Sequence, residues 1–285
     1  MTTYIQSLTQ MPKLEKMGNQ GIFVLPLKIE VEEGSFLHLG GTPSPLTEKK
    51  QPVFSVDGQP VIPASSFKGA FRQQVEWHLI EKKDSLAKKL NLANDAMDLL
   101  KPSIPSPRPS KAEQDLFSKG YRRENSEIKV EDDRIIIPKN NRGLIGLCPV
   151  SYFFGATGLE GFLRIDNFFS VPGELRIDQT RIRIDRQSKT AAPGAIVTGE
   201  LVKPGSVFTG NITIMEQRQS ATFGQCREIG GVKVDLWLAN WAEPNEVERQ
   251  LVLLNEIVIP SLNNIKILGG QKSLGGGKVK IELNI

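Results

Sequence analysis

Residues 21–36, GIFVLPLKIEVEEGSF, alternate with a period of two, so that Phe23, Leu25, Leu27, Ile29 and Val31 share one face. A chain with every second side chain apolar buries one face of a β-sheet and gives the other to solvent. This stretch is therefore read as a half-buried strand. Pro26, on the opposite face, points to a sheet edge or a bulge, because proline donates no ladder hydrogen bond.

The turn-rich run GSFLHLGGTPSPLTEKKQPVF follows, and QPVFSVDGQPVIP then predicts a short strand region with an Asp57–Gly58 turn. In SSFKGAFRQQVEWHLIEKK, Phe67, Ala70, Phe71, Val75, His78 and Leu79 recur at helical spacing, and Ser65 or Ser66 can cap the helix. DSLAKKLNLANDAMDLL predicts a second helix. Residues 101–145 lose periodicity, with four prolines in KPSIPSPRP and dense charge in KGYRRENSEIKVEDDR. Residues 84–145 are thus expected to form an insertion on a main domain of residues 21–285, and residues 1–20 an N-terminal arm.

Strand character returns after Leu147. NEVERQLVLLNEIVIPSLNN reads as a helix through Val247, Leu251, Leu254 and Ile257, and IKILGGQKSLGGGKVKIELNI as strand, glycine loop and strand. This order lacks the regular alternation of a parallel sheet and fits an α+β fold with an antiparallel one. A length of 285 residues and 39% apolar composition suffice for a proper core.

Several function classes lose support. Cys148 and Cys226 have no metal-ligand or CxxC spacing, which speaks against a zinc site or disulfide framework and fits a reduced compartment. There is no run of 18 apolar residues and no signal-peptide core near the start, so a soluble, cytoplasmic protein without a membrane partner is expected. No GxSxG, HExxH or Walker loop occurs, and only two histidines exist. His78 lies on the apolar stripe and reads as a packing residue. His38 sits at a strand end beside glycines, where it could face a site.

A net charge of +4 leans weakly toward an anionic partner. Three stretches sharpen that lean. Lys68 and Arg72 are four apart on one helix face, close to an N-terminus that already carries partial positive charge, an arrangement suited to a bound phosphate. Arg181, Arg183, Arg186 and Lys189 crowd a strand that leads to the small-residue run Ala191–Val197, read as the apolar tip of a projecting hairpin. Around Lys272, Ser273 and Lys278 stand five glycines, which either admit a polyanion to the backbone or simply make tight turns.

The stretches LHLGG, IPASSFKGAFR, CPVSYFFGATGLEGFLRIDN, RIRIDRQSKTAAPGAIVTGELVKPGSVFTGNI and LGGQKSLGGGKVKIEL occur in the order seen in the RAMP superfamily of CRISPR-associated proteins. More narrowly, they resemble the backbone subunit of type III effector complexes. The resemblance implies a ferredoxin-like, RRM-type palm, a helical insertion or lid at 84–145, and a thumb hairpin at about 186–200. It implies an antiviral complex in which such subunits stack along CRISPR RNA and space its duplex with target RNA. Implied RNA-binding residues are His38, Lys50, Ser65, Ser66, Lys68, Arg72, Arg181, Arg183, Arg186, Lys189, Lys272, Ser273 and Lys278.

In that family target-RNA cleavage is attributed to an aspartate just before a small residue, proline and valine. Here the run is Lys50-Gln51-Pro52-Val53, with lysine in that place and no aspartate from Gly34 to Val56. A lysine can hold a phosphate but does not ligate a divalent ion. The resemblance therefore implies a binding subunit that does not cut, with no cofactor. The alternatives are target cleavage through Glu48 or Asp57, which would call for a divalent ion such as Mg, and CRISPR-RNA processing through His38.

Overall fold

The computed structural model describes residues 21–41, 51–92, 94–104, 111, 115–123, 129–131, 134–136, 146–156, 159–173, 175–218, 221–239, 241 and 246–283. The expected arm at 1–20, with Glu48 and Lys50, lies outside the described residues. The fold is mixed α/β. Its first strands are β1 (Gly21–Val31), β2 (Ser55–Val56), β3 (Gln59–Ile62), β4 (Ser103–Ile104), β5 (Arg122–Arg123), β6 (Lys129–Glu131) and β7 (Arg134–Ile136). Then come β8 (Leu163–Ile165), β9 (Phe168–Ser170), β10 (Arg176–Ile184), β11 (Ala191–Val202) and β12 (Val207–Met215). The last are β13 (Gln217–Arg218), β14 (Ala221–Thr222), β15 (Glu228–Ile229), β16 (Val232–Lys233) and β17 (Val279–Leu283).

The chain divides into two compact units: Met1–Val24, Phe71–Arg164 and Thr213–Leu262 in the first, and Leu25–Ala70, Ile165–Ile212 and Asn263–Ile285 in the second. The main sheet runs in the order β17-β1-β12-β9-β3-β2, with β8 also paired to β12. The pairings of β1 with β17, β12 with β9, β9 with β3 and β3 with β2 are antiparallel. All five alternating apolar residues of β1 are buried, as the period of two requires. Pro26 does not mark an edge. β1 is interior to the sheet, and Pro26 stands one residue outside its described register with β17, which begins at Leu27.

In the second unit the core gathers Leu27, Ile29, Val31, Leu37, Val61, Val202, Phe208 and Val279. Phe67, from the first turn of helix α1 (Ala64–Lys89), packs on Phe168 with ring centroids 4.6 Å apart. The expected second helix is in part this one. Asp84–Lys89 continues α1 because the buried stripe runs on from Leu79 to Leu86 and Leu90. Asn91 then takes the left-handed conformation (φ 47), and Leu92 N–H bonds the Ala87 carbonyl while Asn91 N–H bonds that of Lys88. That pairing closes a helix C-terminus and satisfies its last carbonyls. The remainder of the expected helix is a 3₁₀ segment, Asn94–Leu100.

The first unit holds an aromatic core. Helix α2 (Pro149–Phe154) is buried along its whole length, and Tyr152 stacks among Phe153, Phe162, Phe223 and Trp237. Short hairpins β13–β14 and β15–β16 lead to α3 (Leu236–Ala239). A final helix comprises α4 (Glu246–Leu253), a π turn at Leu254–Val258 and α5 (Ile259–Asn263). Within the 84–145 segment, β4 pairs parallel with β5, and β6 antiparallel with β7.

Candidate nucleic-acid interface

Four pieces of the second unit carry most of the candidate residues: the start of α1, the β10–β11 hairpin, the strand end at 37–41 and the loop 268–278; Arg72, further along α1, belongs to the first unit. The α1 N-terminus is capped differently from expectation. Neither serine is the cap; Ser65 and Ser66 already lie in the first helical turn and are exposed. Asn167, a hundred residues away in sequence, accepts the Ala64 N–H through Oδ1 at 2.8 Å. Proline at 63 has no capping side chain, so the cap comes from elsewhere in the fold. The two hydroxyls and Lys68 are thus presented to solvent. Arg72 is not: its Nε donates to Glu76 Oε1 at 3.0 Å, and Glu76 Oε2 also accepts the Tyr121 hydroxyl. Burial, followed by the Glu76 charge, raises the Tyr121 pKa, so it stays a donor.

The hairpin is longer than 186–200, with β10 and β11 pairing from Arg176↔Val202 to Ile182↔Ile196. A register irregularity separates that ladder from Ile184↔Ala191. The run from Ala191 is therefore strand β11 and not the tip. The tip is the polar turn Asp185–Thr190. There Asp185 Oδ1 accepts the N–H groups of Gln187 (2.9 Å) and Ser188 (2.8 Å) and the Ser188 hydroxyl. Those bonds from Ser188 and then Gln187 hold the Asp185 carboxyl below its usual range. Lys189 adopts φ 55, and both Arg186 and Lys189 are exposed. The turn closes before the apolar run because an aspartate can satisfy its own following amides, which alanine cannot. Apolar surface does project, lower down: Ile182 and Ile196 face each other across the strands at 52% and 57% exposure.

Arg181 is half-buried and donates from Nε and Nη2 to Gln179 Oε1. Arg183 lies at the register irregularity, and its side chain is outside the described residues. His38 forms a bridge with Gly270, whose N–H its carbonyl accepts at 3.0 Å. Its Nε2 is buried without a partner among the described residues. Burial, then the Arg181 charge, holds its pKa below the ordinary histidine value, so it is neutral at pH 7.

Four of the five glycines of the last loop, all but Gly275, answer to packing. A Cβ on Gly277 would fall 2.3 Å from the Leu268 carbonyl oxygen at φ 90, and one on Gly276 2.5 Å from the Phe36 ring. Gly269 approaches the His38 carbonyl just as closely. The loop lies folded onto strand residues 36–38, and this contact turns Lys272, Ser273 and Lys278 outward. Asp57 occupies the left-handed first position of the β2–β3 turn (φ 49) and is exposed. Among the described residues no three His, Cys, Asp or Glu side chains gather into a possible metal site.

Sequence reasoning missed the residues that hold this surface in place. Asn167, Glu200 and Arg176 act across long sequence separations, and no local pattern announces such contacts.

A family model of the RAMP superfamily matches residues 31–280. The chain belongs to the RAMP superfamily. Proteins of this superfamily bind CRISPR RNA and act in multi-subunit complexes. The match runs from the end of β1 to the start of β17 and so includes every piece of the candidate surface described above. A search of curated proteins found no match. Among the described residues no helix is long and apolar enough to cross a membrane.

Proposed function

We propose that this RAMP protein is a CRISPR-RNA-binding backbone subunit of a type III RNA-guided antiviral complex. It acts in the cytoplasm with target RNA and neighbouring subunits, and it grips the guide without cutting. The carrying observation is the set of exposed cations Lys68, Arg186, Lys189, Lys272 and Lys278, all in one compact unit and none in an ion pair among the described residues. Cations without protein partners are suited to phosphate contacts, which give affinity without reading sequence.

A ferredoxin-like palm agrees with this reading. The chain order β1, α1, β9, β12, α4–α5, β17 combines with the sheet order β17-β1-β12-β9, which is the fourth, first, third and second strand of a β-α-β-β-α-β unit. The hairpin inserted between β9 and β12 is the thumb. Its polar, cationic tip and exposed isoleucines suit a wedge against a duplex. No cut is expected because Lys50 stands in the acidic position, and the buried Nε2 of His38 is out of reach of a phosphodiester.

Two measurements test this reading. Short single-stranded RNAs of different sequence should bind the purified protein alike, with affinity falling steeply as salt rises. The complex assembled with guide RNA should leave complementary target RNA intact opposite this subunit. Salt-insensitive binding would refute the grip. Cleavage abolished by Glu48→Ala or Asp57→Ala would make the subunit an endoribonuclease instead.

A further inference from the structure

Segment 51–58 follows directly on the position where a cleaving relative would need its carboxylate, and it carries Asp57. It is held from the stem of the 176–202 hairpin at several points. Arg176 Nη2 donates to the Ser55 hydroxyl at 2.7 Å and to the Gly58 carbonyl at 2.6 Å, straddling the β2–β3 turn. Across the ladder, Glu200 Oε2 accepts the Val53 N–H at 3.0 Å, and the Glu200 N–H bonds the Gln51 carbonyl at 2.8 Å. Gly199 makes a parallel bridge with Gln51, and a Cβ there would press the Gln51 side chain at 3.1 Å.

These contacts differ in kind. Those of Glu200 and Gly199 fix the start of the segment through backbone groups. Among the described residues of the hairpin, Arg176 alone reaches the turn, with a planar guanidinium whose donors are set at a fixed angle. The segment's other described anchors are Gly41 N–H to the Pro52 carbonyl, Phe54 N–H to the Leu39 carbonyl, and Val61 N–H to the Phe54 carbonyl. None of these binds the turn Val56–Gln59 to another part of the unit. Among the described residues, the hairpin's direct link to that turn is therefore the one made by Arg176.

We infer that Arg176 is a positioning residue that locks the Ser55–Gly58 turn to the hairpin stem, so that RNA seated against the hairpin also sets the place of segment 51–58. This rests on the RNA-binding reading above. It extends that reading by making segment 51–58 a rider on the thumb. The Asp57 turn then keeps a constant distance from whatever the hairpin grips.

Hydrogen–deuterium exchange on the full chain, with and without a short single-stranded RNA, tests the inference. In wild type, RNA should slow exchange both in peptides of the hairpin and in peptides covering 51–61. Arg176→Met should keep the response in the hairpin and lose it at 51–61, and Arg176→Lys should recover part of it. Without RNA, Arg176→Met should speed exchange at 51–61 by about tenfold. Ser55→Ala, which leaves the stem untouched, should do so to a smaller degree, and it serves if Arg176→Met does not fold. A 51–61 response that survives Arg176→Met, or a wild-type response confined to the hairpin, overturns the inference. RNA that slows exchange in neither region refutes the RNA-binding reading instead. The RNA-free comparison still judges the lock, and unchanged exchange there overturns it.

Discussion

Asn167 Oδ1 accepts the backbone N–H of Ala64 at 2.8 Å, tying the loop between β8 and β9 to the start of α1. The bond satisfies an amide that has no helical partner, and it leaves Ser65 and Ser66 without a capping duty. Asn167→Ala should destabilise the protein by about 1 kcal/mol, the usual worth of a helix cap. Ser65→Ala and Ser66→Ala should each stay within about 0.5 kcal/mol, as exposed substitutions do. Urea unfolding of the three variants separates the cases, and a larger loss at either serine would return the cap to the sequence-local position.

The glycine loop divides in the same way. Gly277→Ala forces a Cβ onto the Leu268 carbonyl at positive φ and should cost about 2 kcal/mol or more. Gly40→Ala meets nothing within 4 Å and should change stability by less than about 0.5 kcal/mol. Thermal unfolding reads both. A Gly277→Ala protein as stable as wild type would mean that the close approach of Gly277 to the Leu268 carbonyl does not constrain the loop.

What the sequence made legible follows from range. The β1 alternation and the Asp57–Gly58 turn are decided by neighbours two to four residues apart, and both are found. The sequence shows helix α1 but not its length. The stripe continues through Leu86 and Leu90 past the charged run EKKD, which reads locally as a break. The hairpin shows in the sequence as a basic strand and a small-residue run, yet composition points to the wrong turn. Ala191–Val197 looks like a loop by composition, while the hydrogen bonds that close the turn belong to Asp185. Arg72 looked like an outward cation because Tyr121, which helps hold Glu76 in place, is 45 residues further on.

His78 illustrates how a helix defect recruits a side chain. Pro260 has no N–H to give the Glu256 carbonyl, and His78 Nε2 donates to it at 2.6 Å. An acceptor-only carbonyl fixes the proton on Nε2. Burial, the largest cause, lowers the His78 pKa, and His38 shifts the same way. Because the folded pKa lies below the unfolded value, the unfolded chain binds more protons in acid. The stability is complete above about pH 6.5 and falls as the pH drops through the folded pKa. Wild type should therefore lose stability between about pH 7.5 and pH 5.5 in urea titrations. His78→Gln, which keeps a donor for Glu256, should lose less over the same interval.

The Arg227–Asp235 pair is fully buried and bidentate, at 2.7 Å and 2.8 Å, with Nη1 donating to the Glu160 carbonyl. The guanidinium carbon lies 5.1 Å from the centre of the Tyr152 ring. Removing one partner strands a charge where water does not reach, so Asp235→Ala should cost about 3–5 kcal/mol. Replacing both, as Arg227→Met with Asp235→Leu, should recover most of that loss. Equal damage in the single and double variants by chemical denaturation would show that the pair does more than neutralise itself.

The sharpest contrast at the proposed interface lies between two cations one helical turn apart. Lys68 is exposed and unpaired among the described residues, whereas Arg72 is held by Glu76 at 3.0 Å. A phosphate contact at Lys68 predicts that Lys68→Ala weakens binding evenly across RNA sequences and lowers the salt slope by about one. Lys189→Ala and Lys272→Ala should behave alike. Arg72 already spends its charge on Glu76, and both side chains are mostly shielded from solvent. Arg72→Ala should then lower stability by loosening Glu76 and Tyr121, with a smaller change in slope than Lys68→Ala. Measuring affinity against salt for the four variants decides the matter. A full unit of slope lost at Arg72 would mean that RNA displaces Glu76 and takes the guanidinium for itself.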